Sequence, residues 1–170
     1  MRVSYEWLKS MVDVPADPAE LVQELIRTGT EVEAVERTGA NFDHVVSAQI
    51  VSKERHPNSD HMWLCKVDVG DKNVDASGNP EPLQIVCGAQ NFNEGDHIVC
   101  AMIGAVLPGD IKIKKSKLRG IESCGMNCSA RELGIGSDHD GIMILPEDAP
   151  VGMDLADYLG SSDTVIDCEI

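Results

Sequence analysis

Residues 83–103 have the sequence LQIVCGAQNFNEGDHIVCAMI, and this stretch decides the class of fold. It contains two short apolar runs, residues 83–88 and 97–103, with the turn-forming residues Glu94-Gly95-Asp96 between them. Apolar runs of this length that are bounded by turn residues are typical of buried β-strands. We therefore predict two strands joined by a loop.

The same pattern continues outward in both directions. Further strand-like runs occupy residues 45–52, 63–69, 111–113 and 141–145. Turn sequences such as His56-Pro57-Asn58 and Pro108-Gly109-Asp110 separate them. Many short strands without long helices between them indicate a small barrel or sandwich. We expect one helix within this region, starting at Ser129, because Ser129 and Glu132 fit a capping box.

The two ends of the chain have helical patterns. Ser4 is a suitable N-cap for a first helix, on which Trp7, Leu8 and Met11 share one face. Asp17-Pro18-Ala19-Glu20 has the composition of a capped helix start. The buried face of this second helix is predicted to consist of Leu21, Val22, Leu25 and Ile26, and Gly29 occupies the expected C-terminal position.

Strand and helix patterns also lie beside these elements. Residues 30–36, TEVEAVE, alternate as a half-buried strand does. Near the other end, DLADYL predicts a short helix and TVIDCEI a strand. The chain stops inside this last run, so we expect it to be part of a longer protein.

Composition bounds the function. The chain has 170 residues, enough for one domain or two small ones, and a net charge of −15, which should repel nucleic acid overall. No apolar run is long enough to span a membrane, and the first residues do not form a signal peptide, so the cytoplasm is the expected compartment.

One segment opposes this acidic balance. Five of the 14 basic residues lie within IKIKKSKLRG, residues 111–120, and no acid interrupts them. They are Lys112, Lys114, Lys115, Lys117 and Arg119. On a strand, Ile111 and Ile113 would face one side and Lys112 and Lys114 the other. Such a row could bind backbone phosphates, or it could be a solvated strand edge that avoids aggregation.

The barrel-like strand series favours phosphate binding, because barrels of the oligonucleotide-binding type present a strand face and loops to nucleic acid. Aromatic side chains are few in the strand region: Phe42, Trp63 and Phe92. A protein that stacks many single-stranded bases usually has more. We therefore expect recognition of folded RNA by its shape and phosphates.

Other candidate sites are weaker. The six cysteines are interpreted as reduced and mostly buried; Cys124 and Cys128 could ligate zinc, but no second pair has a suitable spacing. Residues 56–61, HPNSDH, could be a metal or acid–base cluster, but without a distant third ligand we favour a polar turn. The chain has no phosphate-binding glycine loop and no nucleophile elbow. We predict no catalytic residue and no metal site.

Four segments resemble the oligonucleotide-binding (OB-fold) barrel called the tRNA-binding domain. They are HPNSDHMWLCKVDVG (56–70), LQIVCGAQNFNEGD (83–96), GAVLPGDIKIKKSKLRGIESCGMNCSARELGI (104–135) and DHDGIMILPEDAPVG (138–152). This domain occurs in bacterial phenylalanine–tRNA synthetase beta chains, in methionine–tRNA synthetases and in small free-standing proteins. The segments MRVSYEWLKSMVDVP, LIRTGTEVEAVE and DTVIDCEI resemble the beta chain specifically.

The resemblance implies an α+β fold, in which a five-stranded OB-fold β-barrel is inserted into a small α/β module made from both chain ends. Its boundaries would be residues 1–38 for the N-terminal module, 39–151 for the tRNA-binding barrel, and 152–170 for the return to that module, cut before the next domain. The family's tRNA-contacting surface falls on Lys114, Lys115, Lys117, Arg119, Ser123 and Met126. We add Lys112 from the basic run and Ser129 from the S-x-G-M-x-C-S element.

The resemblance also implies a role. The chain would be a non-catalytic part of phenylalanine–tRNA ligase that contacts tRNA, and the alpha subunit would carry the chemistry, for which the holoenzyme uses ATP and magnesium. Its expected partners are tRNA and the alpha subunit; DNA and membranes are not expected, nor is a cofactor in this chain. Two alternatives remain: a structural or subunit-interaction module with little RNA affinity, and a free-standing tRNA-binding OB-fold protein.

Overall fold

A computed structural model of the protein describes residues 1–38, 42–160 and 163–169. The chain divides into two compact units. The first unit combines Met1–Ala40 with Leu159–Ile170, and the second is Asn41–Tyr158. In the part of the chain that the structure describes, no helix is long and apolar enough to cross a membrane.

The described residues form three α-helices and thirteen β-strands, together with a short 3-10 turn at Gly70–Lys72. The helices are α1 (Tyr5–Met11), α2 (Pro18–Arg27) and α3 (Leu155–Leu159). The strands are β1 (Arg2–Ser4), β2 (Glu31–Thr38), β3 (Val45–Arg55), β4 (Trp63–Asp68), β5 (Leu83–Cys87), β6 (His97–Met102), β7 (Val106–Leu107), β8 (Ile111–Lys112), β9 (Ser116–Leu118), β10 (Ile121–Ser123), β11 (Gly125–Asn127), β12 (Ile144–Leu145) and β13 (Asp163–Glu169).

The first unit is a three-stranded antiparallel sheet in the order β1-β13-β2 with helices α1 and α2. The predicted caps are confirmed: Ser4 Oγ accepts from Trp7 N at 3.0 Å, and Asp17 and Glu20 exchange the two hydrogen bonds of a capping box. Gly29 follows α2 at a φ of 94°, a conformation that favours glycine. The strand β1 was not predicted.

The burial of these helices differs from the predicted pattern. No residue of α2 is buried: Leu21, Val22 and Leu25 are half-buried and Ile26 is exposed. On α1, Trp7 and Met11 are exposed, while the buried residue is Tyr5, whose hydroxyl donates to Ala16 O at 2.6 Å. Sequence periodicity shows which side chains share a face, but it cannot show whether the unit supplies atoms to cover that face.

The second unit is built on an antiparallel sheet in the order β11-β6-β3-β4-β5. Its central strand, β3, pairs with β6 through its first half and with β4 through its second, and its register shifts between Ile50 and Ser52. Such an irregularity bends and twists a strand, which allows one strand to serve two walls of a barrel. The far edges approach where Cys124 N donates to Gln84 O at 2.8 Å and Val86 N donates to Ser123 Oγ at 3.0 Å.

Two apolar clusters pack on the two faces of this sheet. One contains alternate residues of four strands, among them Val46, Ile50, Cys65, Ile85 and Ile98. The other contains the intervening residues Val45, Val99 and Ala101, covered by residues of later segments that include Leu133 and Leu155. Burial on both faces explains why β6 is continuously apolar in sequence.

The fold is therefore α+β with a nearly closed five-stranded barrel of the OB type, as predicted. Some local predictions were wrong. Ser129 and Glu132 do exchange capping-box hydrogen bonds, but residues 130–134 form a turn rather than a helix, because Arg131 N donates to Asp138 O and the segment folds back. The predicted strand at 141–145 is reduced to β12, and four short strands, β7, β9, β10 and β11, were not predicted.

Candidate nucleic-acid interface

A two-stranded hairpin carries much of the positive charge. Strands β9 and β10 pair antiparallel, with Leu118 opposite Ile121 and Ser116 opposite Ser123. The two residues between them, Arg119 and Gly120, have φ values of 51° and 84°. Two positive φ values in a two-residue loop match the twist of the flanking strands, which is why such hairpins are tight. We call residues 116–123 the basic hairpin.

The five predicted cations lie on this hairpin or just before it. Lys112 ends β8, Lys114 and Lys115 follow it, and Lys117 and Arg119 belong to the hairpin. All five are exposed. In the described residues, Lys115 alone among them pairs with a carboxylate, at 3.2 Å from Glu122 Oε2, and that pair is exposed. An exposed pair is screened by water and salt, so the surface stays strongly positive.

The predicted alternation along 111–114 is only half correct. Ile113 is buried, but Ile111 is 44% exposed, because the strand ends at Lys112 and the following residues leave the extended pattern. The lysines are therefore displayed by a short strand and a connecting segment. They do not form one straight row on one strand.

A polar loop anchors the basic hairpin from the side. The buried ring of His56 contacts Leu118 O through Nε2 at 2.8 Å, and its Nδ1 accepts from Asn58 N at 3.0 Å. Because Nδ1 is an acceptor, the ring proton lies on Nε2 and is donated to Leu118 O. Asn58 Nδ2 donates to Arg119 O at 3.0 Å, and Arg119 Nη1 donates to Asn58 O at 3.2 Å. We call this set of hydrogen bonds the His56 clasp.

The hairpin borders a concavity of about 920 Å³. Its wall includes the end of β5, β8, β11, the turn at 129–132 and the loop at 139–142. Five predicted site residues line it: Lys112, Lys114, Ser123, Met126 and Ser129. Lys115, Lys117 and Arg119 lie outside this lining. The sequence-predicted residues thus form one neighbourhood with two parts, a concavity and a hairpin beside it.

The two serines have internal roles in the structure. Ser123 is 2% exposed; its hydroxyl accepts from Val86 N at 3.0 Å and donates to Gly125 O at 3.1 Å. Ser129 is also buried, and its hydroxyl accepts from Glu132 N at 3.2 Å. Both hydroxyls therefore hold the wall of the concavity in place. Met126, by contrast, is half-buried and lines the concavity with an apolar side chain.

The aromatic residues of the barrel are occupied. Phe42 and Phe92 are buried in the two cores. Trp63 carries Lys53 Nζ at 4.2 Å from its ring centroid, and its indole N–H donates to Gln90 Oε1 at 3.0 Å. These contacts leave the cations as the main means of binding a polyanion, in line with the expectation of shape and phosphate recognition.

The groups that were weighed as metal ligands take other roles. His56 belongs to the clasp, and in the described part of the chain no three His, Cys, Asp or Glu side chains are grouped as a metal site would require. Cys65, Cys87, Cys100, Cys128 and Cys168 are buried free thiols, and Cys124 is half-buried. Burial raises the pKa of Cys65 and that of Cys128 to about 12 each, so these thiols stay protonated near neutrality.

Sequence reasoning missed three contributors to this site. His56 and Asn58 were predicted only as a polar turn, and their link to a hairpin some sixty residues away has no local signal. Asn127 lines the concavity but lies within an unremarkable stretch of the S-x-G-M-x-C-S element. Its orientation depends on how β11 pairs with β6, which the local sequence does not encode.

Comparison with known proteins agrees with this geometry. A family model described as "Putative tRNA binding domain" matches residues 45–154. The chain is 50% identical over 167 residues to the phenylalanine–tRNA ligase beta subunit of Geobacter sulfurreducens, and 47% identical over 170 residues to that of Fusobacterium nucleatum. These alignments cover 98% and 100% of this chain but 20% of each relative, so the chain spans about a fifth of their length. The chain belongs to the tRNA-binding-domain family.

Proposed function

We propose that this chain contacts tRNA as a non-catalytic part of a bacterial phenylalanine–tRNA ligase beta subunit, and so assists the charging of tRNA with phenylalanine. The observation that carries the proposal is the cluster of five exposed cations, Lys112 to Arg119, on a hairpin that the His56 clasp holds in place. The family match and the similarity to beta subunits support the same assignment.

Local charge can outweigh the net charge of −15 at this surface. Exposed charges further apart than about 8 Å, the Debye length at physiological salt, are largely screened from one another. A phosphate beside the hairpin is therefore attracted by the nearby ammonium groups more than it is repelled by acids elsewhere. Each phosphate that is neutralised releases counterions, so the binding constant should fall with salt.

The remaining parts of the proposed role concern the whole ligase. Its alpha subunit would be the partner that carries the aminoacylation site, and ATP and magnesium would be used there. The described residues of this chain contain no grouped carboxylates or histidines suited to a metal ion, so we route no step of that reaction through them. As part of a translation enzyme, the protein would work in the cytoplasm.

A salt titration tests the tRNA contact. Fluorescently labelled tRNA is titrated with the protein at several salt concentrations and followed by anisotropy. We expect micromolar binding at low salt and a log–log slope of about −3 to −5, which fits four or five phosphate contacts at roughly −0.7 to −0.9 each. The absence of binding at ~50 mM salt, where such contacts are strong, would overturn the proposal.

A second candidate function rests on the first unit. An apolar groove of about 440 Å³ there is lined by Val3, Leu8, Leu21, Leu25 and Ile166, and the nearby chain exposes Trp7 at 58%. Exposed apolar surface of this kind often marks an interaction site, which would suit a subunit-interaction module with little RNA affinity. Size-exclusion chromatography with the alpha subunit distinguishes the two: co-elution without tRNA binding favours this candidate, and tRNA binding without co-elution counts against it.

A further inference from the structure

We propose that the concavity beside the basic hairpin is a pocket for one unstacked adenine of the bound RNA, whose edge is recognised by the side-chain amide of Asn127. The inference rests on the proposed function, because the pocket would be filled by a base of the same RNA whose phosphates meet the hairpin. It adds a base-selective site to a surface that otherwise contacts only the backbone.

The amide of Asn127 is buried without a partner. Asn127 lies opposite Cys100 in the pairing of β11 with β6 and is 5% exposed. In the described part of the chain, neither its Nδ2 nor its Oδ1 has a hydrogen-bond partner. A buried amide that lacks both of its hydrogen bonds is costly and uncommon in native proteins, and such groups call for a ligand or a bound water.

The position of this amide points to a ligand. Asn127 lines the concavity of about 920 Å³, which lies within the ~300–1,000 Å³ range of small-molecule sites. The other buried polar side chains in the lining, Ser123 and Ser129, already bond to backbone groups. Asn127 is thus the buried lining group in the described chain with both a donor and an acceptor left over.

The rest of the lining suits a nucleotide. Ile113, Met126 and Ile142 supply apolar surface for the faces of a planar ring, and Lys112 and Lys114 supply cations for its phosphate. An asparagine amide presents one donor beside one acceptor, and adenine presents the complementary pair on one edge, which is why asparagine bonds adenine in two places in other complexes. The combination of amide, apolar walls and cations therefore favours adenine.

Entry of the base requires a small rearrangement. The two amide atoms are shielded from water in the ligand-free chain, so a side chain of the lining must move aside. Met126, the residue before Asn127, is half-buried and lines the same space. An unbranched side chain with three rotatable bonds can change its conformation at low cost, which makes Met126 the expected gate.

Base selectivity separates this proposal from a bound water, which would satisfy the amide without any preference among RNAs. The test compares labelled ten-nucleotide RNAs, U10 and U10 with one central adenine or one central cytosine, by anisotropy with the full chain at low salt. We expect the adenine-containing RNA to bind more tightly by about 5- to 150-fold, the range for one good two-point contact.

Variants tie this preference to the amide. Asn127→Leu should bring the three affinities within about twofold while the salt slope stays unchanged, since it removes the amide and keeps the cations. Asn127→Asp retains the size and loses the donor, so it should shift the preference from adenine to cytosine, whose amino group a carboxylate accepts. It provides a second test if the leucine variant does not fold. Asn93→Leu, an exposed position, is the matched control and should keep the adenine preference.

Equal binding of the three RNAs by the unaltered chain, or a preference that persists in Asn127→Leu, would overturn the adenine pocket. In both cases the proposed function survives if tRNA still binds with a steep salt slope. If neither tRNA nor any of the short RNAs binds, the proposed function fails together with the pocket.

Discussion

His56 Nε2 lies 2.8 Å from Leu118 O, a hydrogen bond that joins two segments separated by 62 residues. It connects the loop after β3 to the hairpin that displays the cations. The ring is 3% exposed, so water cannot replace the bond if it is lost. The same ring accepts from Asn58 N, whose side chain holds Arg119 O. A single buried imidazole thus orients both the loop and the tip of the hairpin.

Removing this ring should loosen the hairpin. His56→Ala leaves Leu118 O and Asn58 N without partners in a buried place, which typically costs about 1–3 kcal/mol. We expect amide hydrogen exchange in residues 116–123 to accelerate by about 5- to 150-fold, and tRNA affinity to fall. His61→Ala, which removes an exposed ring from the same loop, should change neither quantity. Unchanged exchange in His56→Ala would show that the hairpin holds itself.

The cations of the hairpin should determine the salt dependence of tRNA binding. Lys114→Ala with Lys115→Ala removes two exposed ammonium groups beside the concavity. If both contact phosphates, the log–log slope should become less steep by about 1.4 to 1.8, and binding at low salt should weaken. Anisotropy titrations at several salt concentrations measure both quantities.

A control with the same change in net charge keeps this result specific. Lys9→Ala with Lys72→Ala also removes two positive charges, but both lysines lie outside the basic run. The slope in this control should stay near that of the unaltered chain. Equal slopes in all three proteins would refute the assignment of phosphate contacts to Lys114 and Lys115.

The core of the fold was predictable because its signals are local. The apolar runs of β5 and β6, and the turn residues between them, specify strands regardless of what lies elsewhere in the chain. The capping box of Asp17 and Glu20 likewise depends on residues three positions apart. The predicted boundaries of these elements accordingly agree with the structure to within a residue or two.

The parts that sequence reasoning missed depend on contacts between distant segments. Strands β9, β10 and β11 are three residues each, too short for a period to be visible, and form only where a partner strand is in place. The inward orientation of Asn127 follows from its pairing opposite Cys100, which no local rule reports. The site was therefore predicted as a set of cations, while the concavity and the clasp had to be observed.

A glycine allows β11 to lie against β6. A Cβ atom on Gly125 would be 2.8 Å from Ala101 O and 3.2 Å from Ile85 Cδ1, closer than side-chain carbons approach other atoms. Gly125→Ala should therefore push β11 away from the barrel and reduce the free energy of unfolding by about 1–3 kcal/mol, the usual cost of overpacking. Gly88→Ala, where a Cβ meets nothing within 4 Å, should change it by less than about 0.5 kcal/mol. Urea denaturation of both variants decides this, and equal midpoints would contradict it.

The buried thiols should make the protein less stable in alkali. Burial raises the pKa of Cys65 from 9.0 to about 12, with Cys87 adding to the effect and Lys53 opposing it. The folded state therefore retains this proton between pH 9 and 12, while the unfolded state loses it. The stabilisation is fully present below pH 9 and declines above it by about 1.4 kcal/mol per pH unit and per such thiol. Urea denaturation at pH 8, 9.5 and 10.5 should accordingly show a shallower decline for Cys65→Ala than for the unaltered chain, even if the variant starts from a lower stability. Cys124→Ala, at a half-buried position, should decline in parallel with the unaltered chain. A parallel decline for Cys65→Ala would mean that its thiol ionises as readily in the folded protein as in the unfolded chain.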